Sequence, residues 1–460
     1  MKKLAIVGGG LTGLSAAYYI GQALPDWQID LYEKADHFGG KMQTKHIDGY
    51  NVEMGPDSYL ARKPAMGQLL HQLRMDDQIV KNGTDQAYIY DQDRLYPIPG
   101  GSIVGIPTKF IPFARTRLLS WPAKFRAIAD YFKHPYPTTG DVSIGKFFQY
   151  HLGNEMVTKI IEPLMSGIYG GNLYQLSLDS TFPQFHQIER RRGNMVRGMM
   201  AAGKNKPHRK AGIFRQLKGG LSSVTDALVH SMPSNVTLHQ SQNVSGIEFG
   251  TDQQYHLTVN GQSVVAKRLV ITTPPRAYNG WFKNDPAFDP IRQMKQSTCA
   301  IVMMSFDRAK FDAQLKGTGF VITRTTDTPL TACTIVSNKW RATSPKNRVI
   351  LRVFLGKPGD QTVQAHSEEV LGQIGLAGIR HILHFKASPL WIETKKLPES
   401  MPQYTVGHRE RVGQLKDHVG KSYPGLSLIG MPYDGIGMPD CIRQAKEVAD
   451  QLGKIQSAEA

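Results

Sequence analysis

The stretch that decides the fold lies at the start of the chain, where residues 4–40 read LAIVGGGLTGLSAAYYIGQALPDWQIDLYEKADHFGG. The apolar run at 4–7 predicts a buried strand, and apolar side chains at helical spacing from Leu11 onward predict a helix. The intervening Gly8, Gly10 and Gly13 match the pattern G-x-G-x-x-G, in which glycine permits a tight turn and a close approach of phosphate to the backbone. The stretch therefore predicts a strand, a turn and a helix that together bind phosphate groups.

A second predicted strand at 28–32 ends in Glu33, about twenty residues beyond Gly13. A dinucleotide site needs a carboxylate at this point to accept hydrogen bonds from ribose hydroxyls, while the pyrophosphate lies on amides at the helix N-terminus. The sequence therefore predicts a dinucleotide site. Its predicted contacts are Gly8, Gly9, Gly10, Leu11, Thr12, Gly13, Glu33 and Lys34.

A similar passage lies near the other end, where residues 426–430 read LSLIG and predict a strand. A glycine turn at 434–439 follows, and a long amphipathic helix begins at about Cys441. We expect this end of the chain to return to the sheet that the first strand begins, with other domains inserted between. The amides of 435–438 could then face an electron-rich ligand atom, the alternative being an ordinary packing helix after a glycine turn.

Composition limits the remaining possibilities. A chain of 460 residues predicts two or three domains. Its three cysteines form no C-x-x-C pair, so the sequence predicts neither a disulfide framework nor a metal site, and it favours a reducing compartment. No signal peptide, membrane-length apolar run or membrane-docking apolar patch is evident. We therefore expect a cytoplasmic protein with at most peripheral membrane contact.

The positive charge is unevenly distributed. There are 55 Lys and Arg against 38 Asp and Glu, a net charge of +17, and residues 189–218 hold ten basic residues and one acidic residue. This segment is either a solvated loop or a surface that attracts an anionic substrate, lipid head groups or an acidic protein. Nucleic acid is not an expected partner, because no recognition fold accompanies the charge.

From about 103 to 200 the spacing of apolar residues predicts helices, and Pro163 is expected to interrupt this helical pattern.

Several motifs resemble those of a known family. The paired glycines and the basic residue in GGKMQT, after the second strand, resemble FAD enzymes of the amine oxidase and phytoene desaturase superfamily. Eight motifs occur in the order and approximate spacing of the FAD-dependent coproporphyrinogen III oxidase and protoporphyrinogen oxidase family of haem biosynthesis. They are GGGLTGLSAAY, GGKMQT, GPDSYLARK, EPLMSGIYGGN, STFPQF, GTGFVITR, SMPQYTVGH and GIGMPDCI. The resemblance covers essentially the whole chain and is strongest to the Gram-positive bacterial branch.

The resemblance implies non-covalent FAD and an α/β plus α+β fold. A Rossmann-like FAD domain would be built from both chain ends, with a mixed-sheet substrate domain and a helical insertion. The implied ranges are 1–78, 215–275 and 405–460 for the FAD domain, 79–100 and 276–404 for the substrate domain, and 101–214 for the helical domain. Further implied cofactor contacts are Gly40, Lys41, Gly55, Pro56, Asp57, Ser58, Val244, Gly430, Ile436, Gly437 and Met438.

The implied reaction is oxidation of coproporphyrinogen III to coproporphyrin III. Each of three hydride transfers to FAD would be followed by reoxidation of the flavin with dioxygen, which gives hydrogen peroxide. The downstream ferrochelatase is a candidate partner. Arg62 and Lys63 could bind a propionate, and Ile168 and Tyr169 could pack on pyrrole rings. The chemistry resides in the flavin, so no catalytic side chain is assigned.

Two departures from the family pattern bear on flavin affinity. Met54 stands where relatives usually have Arg, and Leu397 stands where they have a Trp that contacts the flavin. Three other functions stay open: protoporphyrinogen IX oxidation, another amine oxidase or desaturase activity, and a flavin-free protein that delivers porphyrin, the last suggested by Leu397. His151, His186 and His408 are expected to be structural.

Overall fold

The fold is that of a computed structural model, which describes residues 2–99, 102–103, 106–107, 110–138, 140–204, 212–314 and 316–459. The chain divides into two compact units. Unit 1 comprises Met1–Val80, Ile213–Lys295 and Arg409–Ala460, and unit 2 comprises Lys81–Gly212 and Gln296–His408. The finer division into three domains stays a prediction.

Strands are numbered in chain order within the described residues. They are β1 (Lys2–Val7), β2 (Trp27–Tyr32), β3 (Thr44–Ile47), β4 (Tyr50–Glu53), β5 (Tyr59–Leu60), β6 (Ile79–Lys81), β7 (Tyr88–Asp91), β8 (Arg94–Pro97), β9 (Ser102–Ile103), β10 (Ile106–Pro107), β11 (Phe214–Leu217), β12 (Val236–His239), β13 (Val244–Phe249), β14 (Tyr255–Val259), β15 (Gln262–Ala266), β16 (Arg268–Ile271), β17 (Gln296–Asp307), β18 (Gly319–Ile322), β19 (Leu330–Ile335), β20 (Arg348–Leu355), β21 (Trp391–Pro402) and β22 (Leu426–Leu428).

Helices are numbered in the same way. They are α1 (Leu11–Ala23), α2 (Pro64–Gln72), α3 (Phe110–Arg115), α4 (Trp121–Ala129), α5 (Ile144–Leu152), α6 (Asn154–Met156), α7 (Glu162–Tyr169), α8 (Leu178–Thr181), α9 (Pro183–Arg192), α10 (Met195–Lys204), α11 (Ser222–His230), α12 (Asp289–Arg292), α13 (Val336–Lys339), α14 (Thr362–Ala365), α15 (Glu368–Leu383), α16 (His408–Ser422) and α17 (Met438–Glu459).

Unit 1 is built around a parallel sheet with the strand order β12-β2-β1-β16-β22. Strand β1 is buried from Leu4 to Val7, as expected for a parallel strand covered on both faces. Strand β22, from the C-terminal part of the chain, pairs with β16, which in turn pairs with β1. Apolar residues of α1 and α17 share one core. The predicted Rossmann-like sheet built from both chain ends is therefore confirmed.

Unit 2 contains a seven-stranded sheet with the order β21-β17-β20-β19-β18-β7-β8. Strands β18 and β7 run parallel, whereas the other recorded pairs are antiparallel, so the predicted mixed sheet is confirmed. Strands β7 and β8 form a hairpin whose turn residues, Gln92 and Asp93, both have positive φ, as a type I′ turn requires. Buried residues of α15 pack against the strands of this sheet.

The predicted helical region holds α3 to α10. No helix in the described part of the chain is long and apolar enough to cross a membrane. The sequence predicts an interruption of the helical pattern at Pro163, and in the structure the chain stays helical through this proline, with irregular turns just before it. A π-helical turn, Val157–Ile161, precedes α7, because Pro163 has no N–H to donate to the preceding turn and the widened turn accommodates that loss. Of the basic segment 189–218, Arg190, Arg191 and Arg192 form the exposed last turn of α9, whereas residues 205–211 lie outside the described residues.

Candidate cofactor and substrate site

The first glycine turn requires glycine at two positions for different reasons. Gly8 has φ of +107°, and its N–H donates to the carbonyl of Tyr32 at 2.9 Å, which ties the turn to β2. A Cβ at Gly13 would lie 1.8 Å from the Gly8 carbonyl oxygen, so α1 can pass this close only with glycine. A Cβ at Gly10 would meet nothing within 4 Å. The turn is therefore closely packed on one side and open at Gly10.

The open side is where α1 begins. Gly10 is the N-cap of α1 and provides no side-chain cap, and the first turn of the helix contains no acidic residue. The first N–H groups of an α-helix lack partners within the helix and attract anions. Leu11 and Thr12, in this first turn, are buried. An uncapped helix N-terminus beside an open glycine fits the pyrophosphate of a dinucleotide.

Glu33 directly follows β2 and is half-buried. Its carboxylate accepts hydrogen bonds from the N–H of Gly9 at 2.7 Å and from the N–H of Ala35 at 2.8 Å. The two bonds fix the carboxylate beside the glycine turn, and a carboxylate has further lone pairs to accept from ribose hydroxyls. Lys34 is exposed.

The second predicted glycine pair lies directly on the first turn. The N–H of Gly39 donates to the carbonyl of Gly9 at 2.9 Å, and a Cβ at Gly40 would lie 3.2 Å from the Cα of Gly10. A Cβ at Gly55 would lie 1.8 Å from the carbonyl oxygen of Lys41. The structure therefore brings the three predicted glycine segments together.

The rest of the GPDS segment, Pro56, Asp57 and Ser58, is half-buried, and the Ser58 hydroxyl donates to Asp57 at 2.8 Å. Met54, one of the two departures, is buried. Val244 is also buried, as the first residue of β13, where it pairs with Val259.

The C-terminal turn also approaches α1. A Cβ at Gly430 would lie 3.6 Å from the side chain of Thr12. Burial raises the pKa of the Cys441 thiol to about 11, although a hydrogen bond with Thr12 lowers this pKa in part. Helix α17 begins at Met438, three residues earlier than the sequence predicts, directly after the half-buried Ile436 and Gly437. Glu33, the Gly39–Gly40 pair and the C-terminal turn thus converge on the first glycine turn and the start of α1, and the GPDS segment joins them through Lys41.

Asp440, in the first turn of α17, is a residue that the sequence analysis missed. Its carboxylate accepts a hydrogen bond from the Lys63 ammonium at 2.7 Å. The side chains of Lys63 and Asp440 are 40% and 15% exposed. The sequence can show that Asp440 is a carboxylate in the first turn of a helix, which is a favourable position for it. It cannot show that the partner of this carboxylate is Lys63, 377 positions away. Lys63 therefore already binds a carboxylate of its own chain, whereas Arg62 is exposed.

Ile168 and Tyr169 belong to unit 2, at the end of α7. Ile168 is 45% exposed, but Tyr169 is buried and its ring packs against Phe182 and Tyr404. The predicted contact of the Tyr169 ring with a pyrrole stays a prediction, and the structure gives that ring a packing role.

Two further missed residues hold the turn after α7. Arg324 donates to the carbonyl of Gly171 at 2.7 Å, and Gln403 donates to the carbonyl of Tyr169 at 2.7 Å. Arg324 also pairs with Glu162 at 3.1 Å. Burial raises the pKa of Glu162, and Arg324 opposes that rise. Both Arg324 and Gln403 lie in motifs quoted above, but nothing in the motifs shows that they bind this turn.

Within the described residues, no group of three or more His, Cys, Asp or Glu side chains could hold a metal ion. His151 is fully buried between the carboxylates of Asp130, at 2.7 Å, and Glu189, at 2.8 Å. His186 lies 2.9 Å from Asp179, and the ring of buried His408 stacks on Tyr404. These contacts support the structural roles expected for the three histidines.

Comparisons with known proteins identify the family of the chain. The model of the flavin-containing amine oxidoreductase family matches residues 11–453. The chain belongs to this family. It is 41% identical to the coproporphyrinogen III oxidase of Staphylococcus aureus, over 98% of the chain and 99% of the relative. It is 34% identical to the coproporphyrinogen III oxidase of Bacillus subtilis, over 98% of each.

A solved structure extends the comparison to the fold. The crystal structure of a protein from Exiguobacterium sp. 255-15, assigned as a protoporphyrinogen oxidase, superposes with a TM-score of 0.89 at 34% identity and covers 98% of both chains. The predicted family and the prediction of an FAD-dependent oxidoreductase are confirmed. Non-covalent attachment and the individual contact residues stay predictions.

Proposed function

We propose that the chain oxidises coproporphyrinogen III to coproporphyrin III. The observation that carries the proposal is similarity over the full length. Two bacterial relatives that cover 98% of the chain, at 41% and 34% identity, are both coproporphyrinogen III oxidases. The net charge of +17 also suits a substrate with four propionates, because long-range attraction raises the encounter rate with a polyanion.

When bound, FAD would supply the hydride-accepting chemistry for three two-electron oxidations, with dioxygen as the oxidant after each and hydrogen peroxide as its product. The chain binds and orients the reactants. The uncapped start of α1 would hold the pyrophosphate, and the Glu33 carboxylate beside the glycine turn would accept hydrogen bonds from the ribose. The amides before α17 would favour an electron-rich carbonyl of the ring at the positive end of that helix. No side chain is proposed as the proton acceptor.

The proposed cofactor contacts are those of the three glycine segments, Glu33 and the C-terminal turn. Arg62 and Lys63 are proposed to bind propionates, and Ile168 and Tyr169 to contact the macrocycle. Arg62 is exposed, so its guanidinium is accessible for this role. Lys63 would have to leave or share its bond with Asp440.

The test compares two substrates under identical conditions. We expect kcat/KM for coproporphyrinogen III to exceed that for protoporphyrinogen IX by at least about tenfold, or ~1.4 kcal/mol of differential transition-state binding. Raised salt should slow the coproporphyrinogen reaction more than the other, because that substrate has more charge to screen. Porphyrin fluorescence and peroxide release provide the two readouts. No flavin reduction by either substrate would exclude the proposal.

Protoporphyrinogen IX oxidation is the second candidate. It is favoured by the Exiguobacterium neighbour at 34% identity and by a chloroplast protoporphyrinogen oxidase of Arabidopsis thaliana at 26% identity. Equal or reversed substrate preference in the same assay would select it. Turnover of amines would instead indicate another flavin oxidase, and tight porphyrin binding without a flavin spectrum would indicate a delivery protein.

The proposal includes a cytoplasmic location and possible contact with ferrochelatase, which would receive the product. Cys299, Cys333 and Cys441, all within the described residues, form no disulfide, which suits a reducing compartment. Co-purification from cells, with and without added product, tests the contact.

A further inference from the structure

The end of α7 presents one exposed apolar side chain next to a buried one. Tyr169, the last residue of α7, is buried, whereas Ile168 just before it is 45% exposed. The chain then turns at Gly170 and Gly171. We refer to residues 168–171 as the Ile168 turn. Ile168 is the side chain through which this turn can meet a ligand, because Tyr169 packs against its own unit.

The Ile168 turn contacts one edge of the seven-stranded sheet of unit 2. Strands β17 and β21 are antiparallel, and the pair Ser297–Met401 lies near the start of β17 and the end of β21. Strands β17, β20, β19 and β18 alternate in direction, so β18 ends at the edge where β17 begins. Residues that follow β18 and β21 therefore come close to the start of β17, although they are far apart in the chain.

Two glycines let the turn lie close to these strand ends. A Cβ at Gly170 would lie 2.6 Å from the Ser297 hydroxyl oxygen, and Gly170 has φ of +62°. A Cβ at Gly171 would lie 1.8 Å from the side-chain oxygen of Gln403, the residue directly after β21. Glycine is therefore required at both positions for this close approach.

Two side chains hold the backbone of the turn. The Gln403 amide donates to the carbonyl of Tyr169 at 2.7 Å, and the Arg324 guanidinium donates to the carbonyl of Gly171 at 2.7 Å. A second nitrogen of Arg324 pairs with Glu162, the first residue of α7, at 3.1 Å. Arg324 thus contacts both the start of α7 and the turn beyond its end.

The Arg324–Glu162 pair is largely shielded from water, since 23% of the arginine side chain and 12% of the glutamate side chain are exposed. A guanidinium presents several N–H groups in one fixed plane, so Arg324 can bind a carboxylate and a carbonyl at set positions. A lysine ammonium has no such fixed fork. The place of Ile168 relative to the sheet is therefore set by Arg324 and Gln403.

We propose that Arg324 and Gln403 are positioning residues for the macrocycle, because they hold the Ile168 turn where Ile168 packs on a pyrrole ring. The inference rests on the proposed function, of which the contact between Ile168 and the macrocycle is a part. An apolar contact stabilises the bound substrate and the transition state about equally, so displacing it should weaken binding more than turnover. Neither residue is proposed to touch the reacting atoms.

The test measures the binding of coproporphyrin III to the FAD-loaded protein by porphyrin fluorescence, together with kcat and KM for coproporphyrinogen III. Arg324→Gln and Gln403→Glu should each raise the porphyrin Kd and the KM at least about fivefold and change kcat less than about twofold. Arg324→Lys should give intermediate values, because its ammonium can replace one of the two contacts.

A matched control tests whether any lost arginine contact in unit 2 would have the same effect. Arg380 donates to the carbonyl of Ala387 at 2.9 Å elsewhere in this unit. Arg380→Gln should therefore keep the wild-type porphyrin Kd and KM. The Kd for FAD should stay at the wild-type value in every variant, because the predicted FAD contacts belong to unit 1.

A double-mutant cycle separates positioning from a general loss of stability. Ile168→Ala removes the side chain through which Arg324 is proposed to act. Adding Arg324→Gln to Ile168→Ala should therefore raise the porphyrin Kd less than about twofold further, since coupled residues are not additive. A defect unrelated to Ile168 would multiply with the effect of Ile168→Ala instead.

A wild-type porphyrin Kd in both Arg324→Gln and Gln403→Glu would overturn the inference. Independent, multiplying effects of Arg324→Gln and Ile168→Ala would also overturn it. If Arg324→Gln does not fold, Arg324→Lys takes its place in the cycle. A wild type that binds coproporphyrin III without oxidising coproporphyrinogen III would refute the proposed function alone, and the Kd values of the variants would still decide the inference. No binding of coproporphyrin III by the wild type would overturn both.

Discussion

Replacing Glu33 separates what the carboxylate does for the fold from what it does for the cofactor. In the structure it accepts two backbone hydrogen bonds, from Gly9 at 2.7 Å and Ala35 at 2.8 Å. A hydrogen bond to a charged group contributes about 1.5–3 kcal/mol, and the lower end applies here because water can reach the half-buried site. Glu33→Ala should therefore destabilise the apo-protein by roughly 1–3 kcal/mol.

The cofactor adds a further effect. If the carboxylate also accepts a ribose hydrogen bond, Glu33→Ala should raise the Kd for FAD by about 10- to 150-fold, the equivalent of ~1.5–3 kcal/mol. Glu33→Gln should give intermediate values of both quantities. Its amide oxygen still accepts one hydrogen bond, but its NH₂ group faces the other N–H donor.

The assay titrates apo-protein with FAD and follows the flavin fluorescence, and the unfolding temperature of the apo-protein is measured in parallel. Asp285→Asn is the matched control, because Asp285 is a carboxylate of the same unit that accepts a backbone bond from Ala287 at 2.9 Å, outside the predicted FAD contacts. It should lower stability without changing the Kd. A Kd for Glu33→Ala within twofold of wild type would refute the ribose contact, and release of FMN or a covalent adduct would contradict non-covalent FAD.

Three other predictions follow from single positions. Gly10→Ala should leave the stability of the apo-protein unchanged but weaken FAD binding, because its Cβ enters the open space proposed for the pyrophosphate. Gly13→Ala should also lower the unfolding temperature of the apo-protein, because its Cβ would lie 1.8 Å from the Gly8 carbonyl oxygen. Cys441→Ser should retain FAD and turnover, because burial raises the pKa of this thiol to about 11 and keeps it protonated at neutral pH; lost turnover with FAD bound would show a catalytic thiol. For His151, burial lowers the pKa, but the hydrogen bonds and charges of Asp130 and Glu189 outweigh burial and raise it above 6.5. The protonated histidine therefore makes its full contribution to the free energy of unfolding below pH 6.5. This contribution is lost as the pH rises through the higher pKa that His151 has in the folded protein. His151→Gln should cost about 3–5 kcal/mol at low pH and less at high pH, and a pH-independent difference in unfolding free energy would contradict the charged state.

Much of unit 1 could be predicted because its signals are local. Strand β1, the glycine turn and α1 follow one another without a gap, and each has its own periodicity or turn chemistry. The return of the chain at β22 was predictable for the same reason, since a strand, a glycine turn and a helix repeat there. Element bounds differ by a few residues, as at Met438, because caps and turns decide them.

Unit 2 was predicted less completely because its decisive contacts join distant positions. Arg324 binds the carbonyl of Gly171 across 153 positions, and no local pattern reveals such a pair. Trp121 and Phe125 have the spacing of a helix face, but spacing does not show whether that face is buried or exposed. Burial depends on which other segment covers the helix, and that is a property of the tertiary structure.

Lys63 shows why this limit matters for function. The sequence assigns its ammonium to a substrate propionate, whereas the structure places it on Asp440 in the first turn of α17. Without Lys63, Asp440 would put an uncompensated negative charge at a helix N-terminus whose positive end is proposed to face the flavin. Lost activity in Lys63→Ala could thus arise from the cofactor side as well as from the substrate side. Comparison with the double variant Lys63→Ala, Asp440→Asn resolves the two causes. The double variant has neither charge at the helix end. A loss of coproporphyrinogen preference that is present in both variants is therefore caused by the missing ammonium. A loss that is present only in Lys63→Ala is caused by the unpaired Asp440 carboxylate.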